Sequence, residues 1–267
     1  MQAHRKTLSL ASLALRLAVL MAVLLACWRI GVAELPGSAP ESRIALGAGL
    51  SCTALITVLV LAHFDRLPRA VLGHHGAAAN ARAFLLGAAL WLVPALAGIG
   101  VCVALGWATV SLHASPAELL VTLALVGLAV FLVEAFPEEL AVRGYAQGLL
   151  GTRFPPWAAL LLQTALFLGF AWALGAMSTP SQQMLLPGFA LILGYARAVG
   201  GSVWVPMGVH AAWMTTTQAM SPGYGLVVVE GLQAVQFIAF ALLPSAAIGS
   251  VLAVRAPGFS WTRQAHR

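Results

Sequence analysis

The sequence predicts an all-α fold: a polytopic membrane helical bundle of about eight transmembrane helices, with the N- and C-termini in the cytoplasm. Three observations predict it. Hydrophobic residues fill 61% of the 267 positions and mean hydropathy is +0.93, against the ~45–50% apolar content of soluble domains. Apolar runs recur at lengths close to the ~20 residues that a helix needs to cross a bilayer. Lysine and arginine are sparse and fall mainly in alternate connections between those runs. A soluble domain is excluded by the first two observations. The formal charge of +6 is scattered through short loops instead of gathered on one face, so it reads as a topology signal and not as a nucleic-acid footprint.

The first apolar run, residues 8–28, follows the basic tail His4-Arg5-Lys6. A cleaved leader is the competing reading, with Gly31-Val32-Ala33 as a cleavage site. The run is long for a leader and contains Arg16, so it is read as a retained span. Further spans are expected at residues 45–63, 84–107, 117–136, 157–176, 184–199, 202–219 and 232–254. Two of these are short and flank Gly200-Gly201. Interrupted helices of that kind are tolerated at membrane depth where protein buries them or a cavity lies beside them.

Eight spans put both ends on one side. That side collects Arg5, Lys6, Arg66, Arg69, Arg82, Arg143, Arg153, Arg197, Arg255, Arg263 and Arg267, and the other side has Arg29 and Arg43. The bias makes the first side cytoplasmic and puts Glu138, Glu139 and Arg143 at the cytoplasmic end of the fourth span. Trp28, Trp107, Trp157 and Trp204 are expected at the membrane interfaces. Cys27, Cys52 and Cys102 lie inside apolar runs without CxxC spacing and read as small packing residues, not as a disulfide framework. The longest cytoplasmic connection, Phe64 to Arg82, carries His74-His75. The pair has no carboxylate or cysteine neighbour of metal-ligand spacing and reads as solvated loop.

Two stretches carry possible chemistry. In Phe136-Pro137-Glu138-Glu139-Leu140-Ala141-Val142-Arg143-Gly144-Tyr145, Glu139 and Arg143 are four apart. On a helix they share a face, in the favourable order for an ion pair. Glu134 and Glu138 are also four apart, which places two carboxylates together near lipid, where an ionised group costs several kcal/mol unless paired or solvated. A glutamate in such a setting suits general acid–base work. The structural alternative is a charge cluster that pins a helix end. The second stretch runs from Gly188 through Gly194-Tyr195-Ala196-Arg197 and Gly200-Gly201-Ser202 to His210 and Trp213. His210 falls about eight residues, roughly 12 Å, inside its span. An intramembrane histidine is a functional candidate, although one packed on an apolar helix needs no function.

Glu-Glu-x-x-x-Arg, then Gly-Tyr-Ala-Arg, then Gly-Ser-x-Trp-x-Pro-x-Gly-x-His, in that order, resembles the CPBP (Abi) family of intramembrane proteases, the CAAX prenyl protease and bacteriocin-processing type. The resemblance covers about residues 117–217, flanked by N-terminal spans without a recognised motif (1–116) and by a final span with a basic tail (218–267). It implies an intramembrane endopeptidase with a cavity opening toward the cytoplasm, a membrane-anchored protein or peptide as substrate, the lipid bilayer as its setting, and a bacterial inner membrane as its location. No nucleic-acid partner is expected. The implied catalytic set is Glu138, Glu139, Arg143 and His210. Glu138 acts with a histidine of the next span to activate water, His210 acts with an asparagine four residues later to stabilise the oxyanion, and Arg143 orients the glutamate pair.

Two positions depart from the family pattern: Ala171 stands where the first histidine is expected and Met214 where the asparagine is. The family has been described both as metal-dependent and as glutamic. A zinc site normally needs three protein ligands and an open position, so the cofactor expectation is none, with a divalent metal as the lesser alternative. Gln163, Thr164 and Thr215 are candidates for a missing polar group, or are interhelical hydrogen bonders. A catalytically silent relative that binds a peptide or partner membrane protein is the second functional reading. A transporter is the third, and the internal inverted repeats that would favour it are not found.

Overall fold

A bilayer offers no partners for free backbone N–H and C=O groups, so apolar runs that enter it must satisfy those groups as helices. The computed structural model describes residues 9–33 and 40–262, and among them eight long helices account for the runs. They are α1 Leu10–Ala33, α2 Pro40–Phe64, α3 Ala77–Ala104, α4 Pro116–Gly151, α5 Pro156–Ala173, α6 Pro180–Gly200, α7 Trp204–Ala219 and α8 Leu232–Arg255. All but the 16-residue α7 are long and apolar enough to cross a membrane. The protein is a multi-pass membrane helical bundle. Arg5, Lys6, Arg263 and Arg267 of the charge tally lie outside the described residues.

Local sequence sets several helix starts. Ser115 and Glu118 form a capping box at α4, with the Ser115 hydroxyl accepting from the Glu118 N–H at 3.3 Å and Pro116 in the first turn. Thr179 and Gln182 do the same at α6, ahead of Pro180. Such boxes satisfy N–H groups that the first helical turn leaves unpaired. At its other end α6 stops on Gly201 with φ 70°, a left-handed conformation that glycine adopts without steric cost.

The structure corrects three expectations. The helix expected to end at residue 136 continues to Gly151. Glu139 and Arg143 therefore sit fully buried in the bundle, not at a helix terminus. Hydropathy cannot foresee this, because it counts charges without knowing that they pair. Second, α3 starts at Ala77 instead of residue 84, which shortens the longest loop and puts Arg82 on a helix. Third, a two-stranded antiparallel ribbon joins β1 (Thr109–Leu112) to β2 (Val227–Glu230), pairing Thr109 with Glu230 and Leu112 with Val227. It links the α3–α4 connection to the approach to α8.

Two close approaches position the functional helices. A Cβ at Gly208 would run into the backbone of Phe84, and one at Gly87 into the backbone of Val205. Small residues let α3 and α7 pack backbone to backbone, as membrane helices commonly do, and this fixes His210 two residues further along α7. On the other flank the Ser51 hydroxyl of α2 donates to the Leu132 carbonyl of α4 at 2.6 Å, and Gly47 faces Leu132 and Val133. At the start of α1, Arg16 pairs with Asp65 and bonds Ser12 at 2.5 Å, while the Tyr145 hydroxyl donates to the second oxygen of Asp65 at 2.5 Å. That network ties α1 to the end of α2 and to α4.

Candidate functional site

The middle of α4 is not a regular α-helix. Phe131–Ala135 and Glu139–Ala146 are π-helical, separated by Phe136–Glu138. Pro137 lies between them and has no N–H to continue the ladder. Widened turns of this type are frequent at functional sites; here they carry Glu134, Glu139 and Arg143, and Glu138 ends the short α-helical segment between them.

The two adjacent glutamates take different surroundings. Glu139 is fully buried. Its Oε1 accepts from Arg143 Nη1 at 2.9 Å and lies 2.9 Å from His210 Nδ1. Arg143, also fully buried, sends Nη2 to the Ala190 carbonyl at 3.3 Å and stacks its guanidinium 4.3 Å from the centre of the Phe167 ring. Arginine thus orients Glu139, where the resemblance had it orienting the pair. Glu138 is half-buried and faces a cavity of about 480 Å³. His210 closes part of the same cavity, its ring nearly perpendicular to that of Phe189 with centres 5.4 Å apart.

The cavity brings together the positions that the motif singles out. Glu138, Ala171, His210 and Met214 all line it. Ala171 and Met214 put a methyl group and a thioether on its wall. Gln163 and Thr164 bond each other at 2.8 Å, Gln163 also bonds the Ala190 carbonyl, and neither belongs to the cavity lining. Thr215 faces Gly127. Gln163 and Thr215 thus reach neighbouring helices, and the uncharged polar side chains on the wall include Ser181, Gln182, Thr217 and Gln236.

Sequence reasoning had noticed Glu134 but not its partners. Glu134 lines the cavity one turn from Glu138, and its Oε1 accepts from Gln218 Nε2 at 2.8 Å and from Arg43 Nη2 at 3.3 Å, while Arg43 Nη1 donates to Gln218 Oε1 at 2.8 Å. Arg43 had been counted only as a topology signal. Nothing in local spacing links residues 43, 134 and 218. Trp28, expected at an interface, also lines the cavity. Trp107 and Trp157 are about half exposed, as interfacial residues should be.

The His74-His75 loop is more than solvated surface. His74 Nδ1 accepts from the Trp204 indole at 3.2 Å, and His75 Nε2 lies 3.2 Å from the Gly201 carbonyl, so the loop clasps the α6–α7 junction. Burial, then the positive charges of Arg197 and Arg69 and finally His75, hold the His74 pKa below its ordinary value. A larger cavity of about 970 Å³ lies beside this loop, lined by Leu55, Phe84, Phe131 and Trp204 among others, and has no carboxylate in its lining.

The donor set does not fit a resident metal. Among the described residues no three His, Cys, Asp or Glu side chains converge as metal ligands. Glu139 Oε1 is already shared between a guanidinium and an imidazole.

Comparison with curated proteins and with solved structures returned no match. Residues 119–216, which carry the glutamate pair, Arg143, Ala171, His210 and Met214, match the family model described as type II CAAX prenyl endopeptidase Rce1-like.

Proposed function

We propose that the protein is an intramembrane endopeptidase of the CPBP type that cleaves membrane-associated proteins or peptides with glutamate-activated water. The observation that carries this reading is the shared cavity. A half-buried carboxylate, Glu138, and an imidazole held by a second carboxylate face one space that is large enough for a peptide segment. The family match over residues 119–216 supports it.

The roles follow from the contacts. Glu138 accepts a proton from water as its oxygen attacks the scissile carbonyl, and the resulting acid returns that proton to the departing amine as the C–N bond breaks. Glu139 engages His210 Nδ1 and leaves Nε2 as the free ring nitrogen. When protonated, Nε2 donates to the oxyanion. A carboxylate that orients a histidine is the logic of hydrolytic triads. Arg143 positions Glu139 and does not itself reach the reacting atoms. Because the donors do not fit a metal, no step passes through one. With Met214 in place of asparagine one oxyanion donor is missing, a loss of about 10²–10³ in rate by analogy with serine proteases. Slow turnover is the expected result.

The test is cleavage of a membrane-anchored peptide library by the purified protein in lipid. Glu138→Ala and His210→Ala should abolish it, and wild-type activity unchanged by either substitution refutes the proposal. Ala171 and Met214 favour one second reading, a silent relative that keeps the cavity to bind a peptide. Under that reading turnover appears only in Ala171→His/Met214→Asn, whereas the peptidase reading has that variant accelerate an activity already present.

A further inference from the structure

The cavity that holds Glu138 and His210 has a direction. Its outer lining comes from Trp28 in the last third of α1, Gly175 and Ala176 in the α5–α6 connection, Ser181 and Gln182 in the first turn of α6, and Gln236 near the start of α8. Gly175, Ala176, Ser181 and Gln182 are exposed. Successive helices alternate in direction, so all these positions lie at one end of the bundle, where α1, α5 and α7 finish and α6 and α8 begin. None of the lining comes from the α2–α3, α4–α5 or α6–α7 connections at the other end.

The cationic residues divide the other way. Arg66 and Arg69 lie in the α2–α3 connection, Arg82 near the start of α3, Arg153 in the α4–α5 connection, and Arg197 and Arg255 in the last turns of α6 and α8. All are at the end remote from the cavity mouth. The mouth end has Arg29 and Arg43, and both are engaged within the protein: Arg29 bonds the Ala173 carbonyl, and Arg43 reaches Glu134 and Gln218. Arginine in short connections marks the cytoplasmic side.

We infer that the candidate site opens to the non-cytoplasmic face of the membrane, so its substrate is a polypeptide segment presented there and not a cytoplasmic tail. The cytoplasmic opening implied by the family resemblance is reversed. The word substrate rests on the peptidase reading, but the direction of the mouth does not. The chemistry of the walls narrows the class further. Trp28, Phe170, Leu185 and Trp213 offer apolar surface, and Glu134 and Glu138 present carboxylates at depth. An apolar segment fits these walls, and Glu138 offers its carboxyl group to a neutral hydrogen-bonding or basic side chain.

Single cysteines test the direction without reference to activity. In a background with Cys27, Cys52 and Cys102 replaced by alanine, Ser181→Cys and Arg153→Cys are exposed in intact cells to a membrane-impermeant maleimide. Ser181→Cys should label in intact cells, and Arg153→Cys only after permeabilisation. Labelling of Ser181→Cys only after permeabilisation overturns the inference. Should the cysteine-free background fail to fold, a fluorescent protein fused to the C-terminus of the wild type decides instead. Fluorescence from a fusion that folds only in the cytoplasm is expected, and a dark fusion on an expressed, membrane-inserted protein contradicts the orientation. Adding Glu138→Ala to Ser181→Cys leaves the labelling unchanged, so failure of the peptidase reading and failure of this one are distinguishable.

Discussion

Removing Arg143 should damage the protein more than removing Arg143 and the charge on Glu139 together. Both side chains are fully buried and joined at 2.9 Å, and Glu139 Oε2 has no hydrogen-bond partner among the described residues. In Arg143→Leu the carboxylate keeps only His210, on the same Oε1 that the guanidinium had shared. Leaving a buried charge without its partner costs about 3–5 kcal/mol, and the guanidinium face packed on Phe167 is lost as well. At roughly 2–4 °C per kcal/mol for chains of this size, the melting temperature should fall by about 6–20 °C. In Arg143→Leu/Glu139→Gln no uncompensated charge remains, and replacing a buried pair by neutral groups is often close to neutral. The double variant should recover part of the loss, with a coupling energy in the range of about 0.5–3 kcal/mol found for contacting residues. Melting curves of the four proteins in one detergent measure this. Additive losses, with the double variant less stable than either single, would refute the claim that Arg143 is held in place to neutralise Glu139.

Two further outcomes follow from other contacts. Gly208→Ala puts a methyl group into the backbone of Phe84, which should destabilise by about 1–3 kcal/mol and misplace His210. Gly169→Ala, where nothing lies within 4 Å, should be neutral or slightly stabilising, and equal melting temperatures for the two variants contradict the close packing of α3 on α7. His74 is a base whose pKa in the folded protein lies below its ordinary value, about 6.5 in the unfolded chain. Its contribution is therefore complete above that value and is lost as pH falls toward the lowered one, because the unfolded state then binds the extra proton. Stability measured from pH 8 down to pH 5 should decline, and the part of the decline that disappears in His74→Gln is the part due to this residue. An unchanged profile in that variant removes His74 from the account.

Much of the fold was legible because hydropathy is a signal of composition, and the bilayer enforces it helix by helix. The limits appear at particular residues. Glu139 and Arg143 look like interface residues to a hydropathy count. They are core residues here because each neutralises the other, so α4 runs fifteen residues past its expected end. Which glutamate faces the cavity was not readable from adjacency: neighbours on a helix point about 100° apart, and the π-helical turns around Pro137 shift that angle. The imidazole partner proved to be Glu139, a contact across 71 positions that only tertiary packing decides. Arg43 belonged to the topology tally, yet it clamps Glu134 beside the cavity. Ala171 and Met214 were singled out in the sequence as departures from a motif, and only the packing of α5 and α7 puts both on the cavity wall.

The central claim is that Glu138 and His210 serve one chemical step in one cavity. Turnover of a membrane-anchored peptide by wild type, Glu138→Gln, His210→Ala and the double variant tests it most directly. Groups that act as a unit give grossly non-additive losses, so the double variant should be no slower than the slower single. A double variant whose loss is the product of the two single losses would separate the residues and contradict the account.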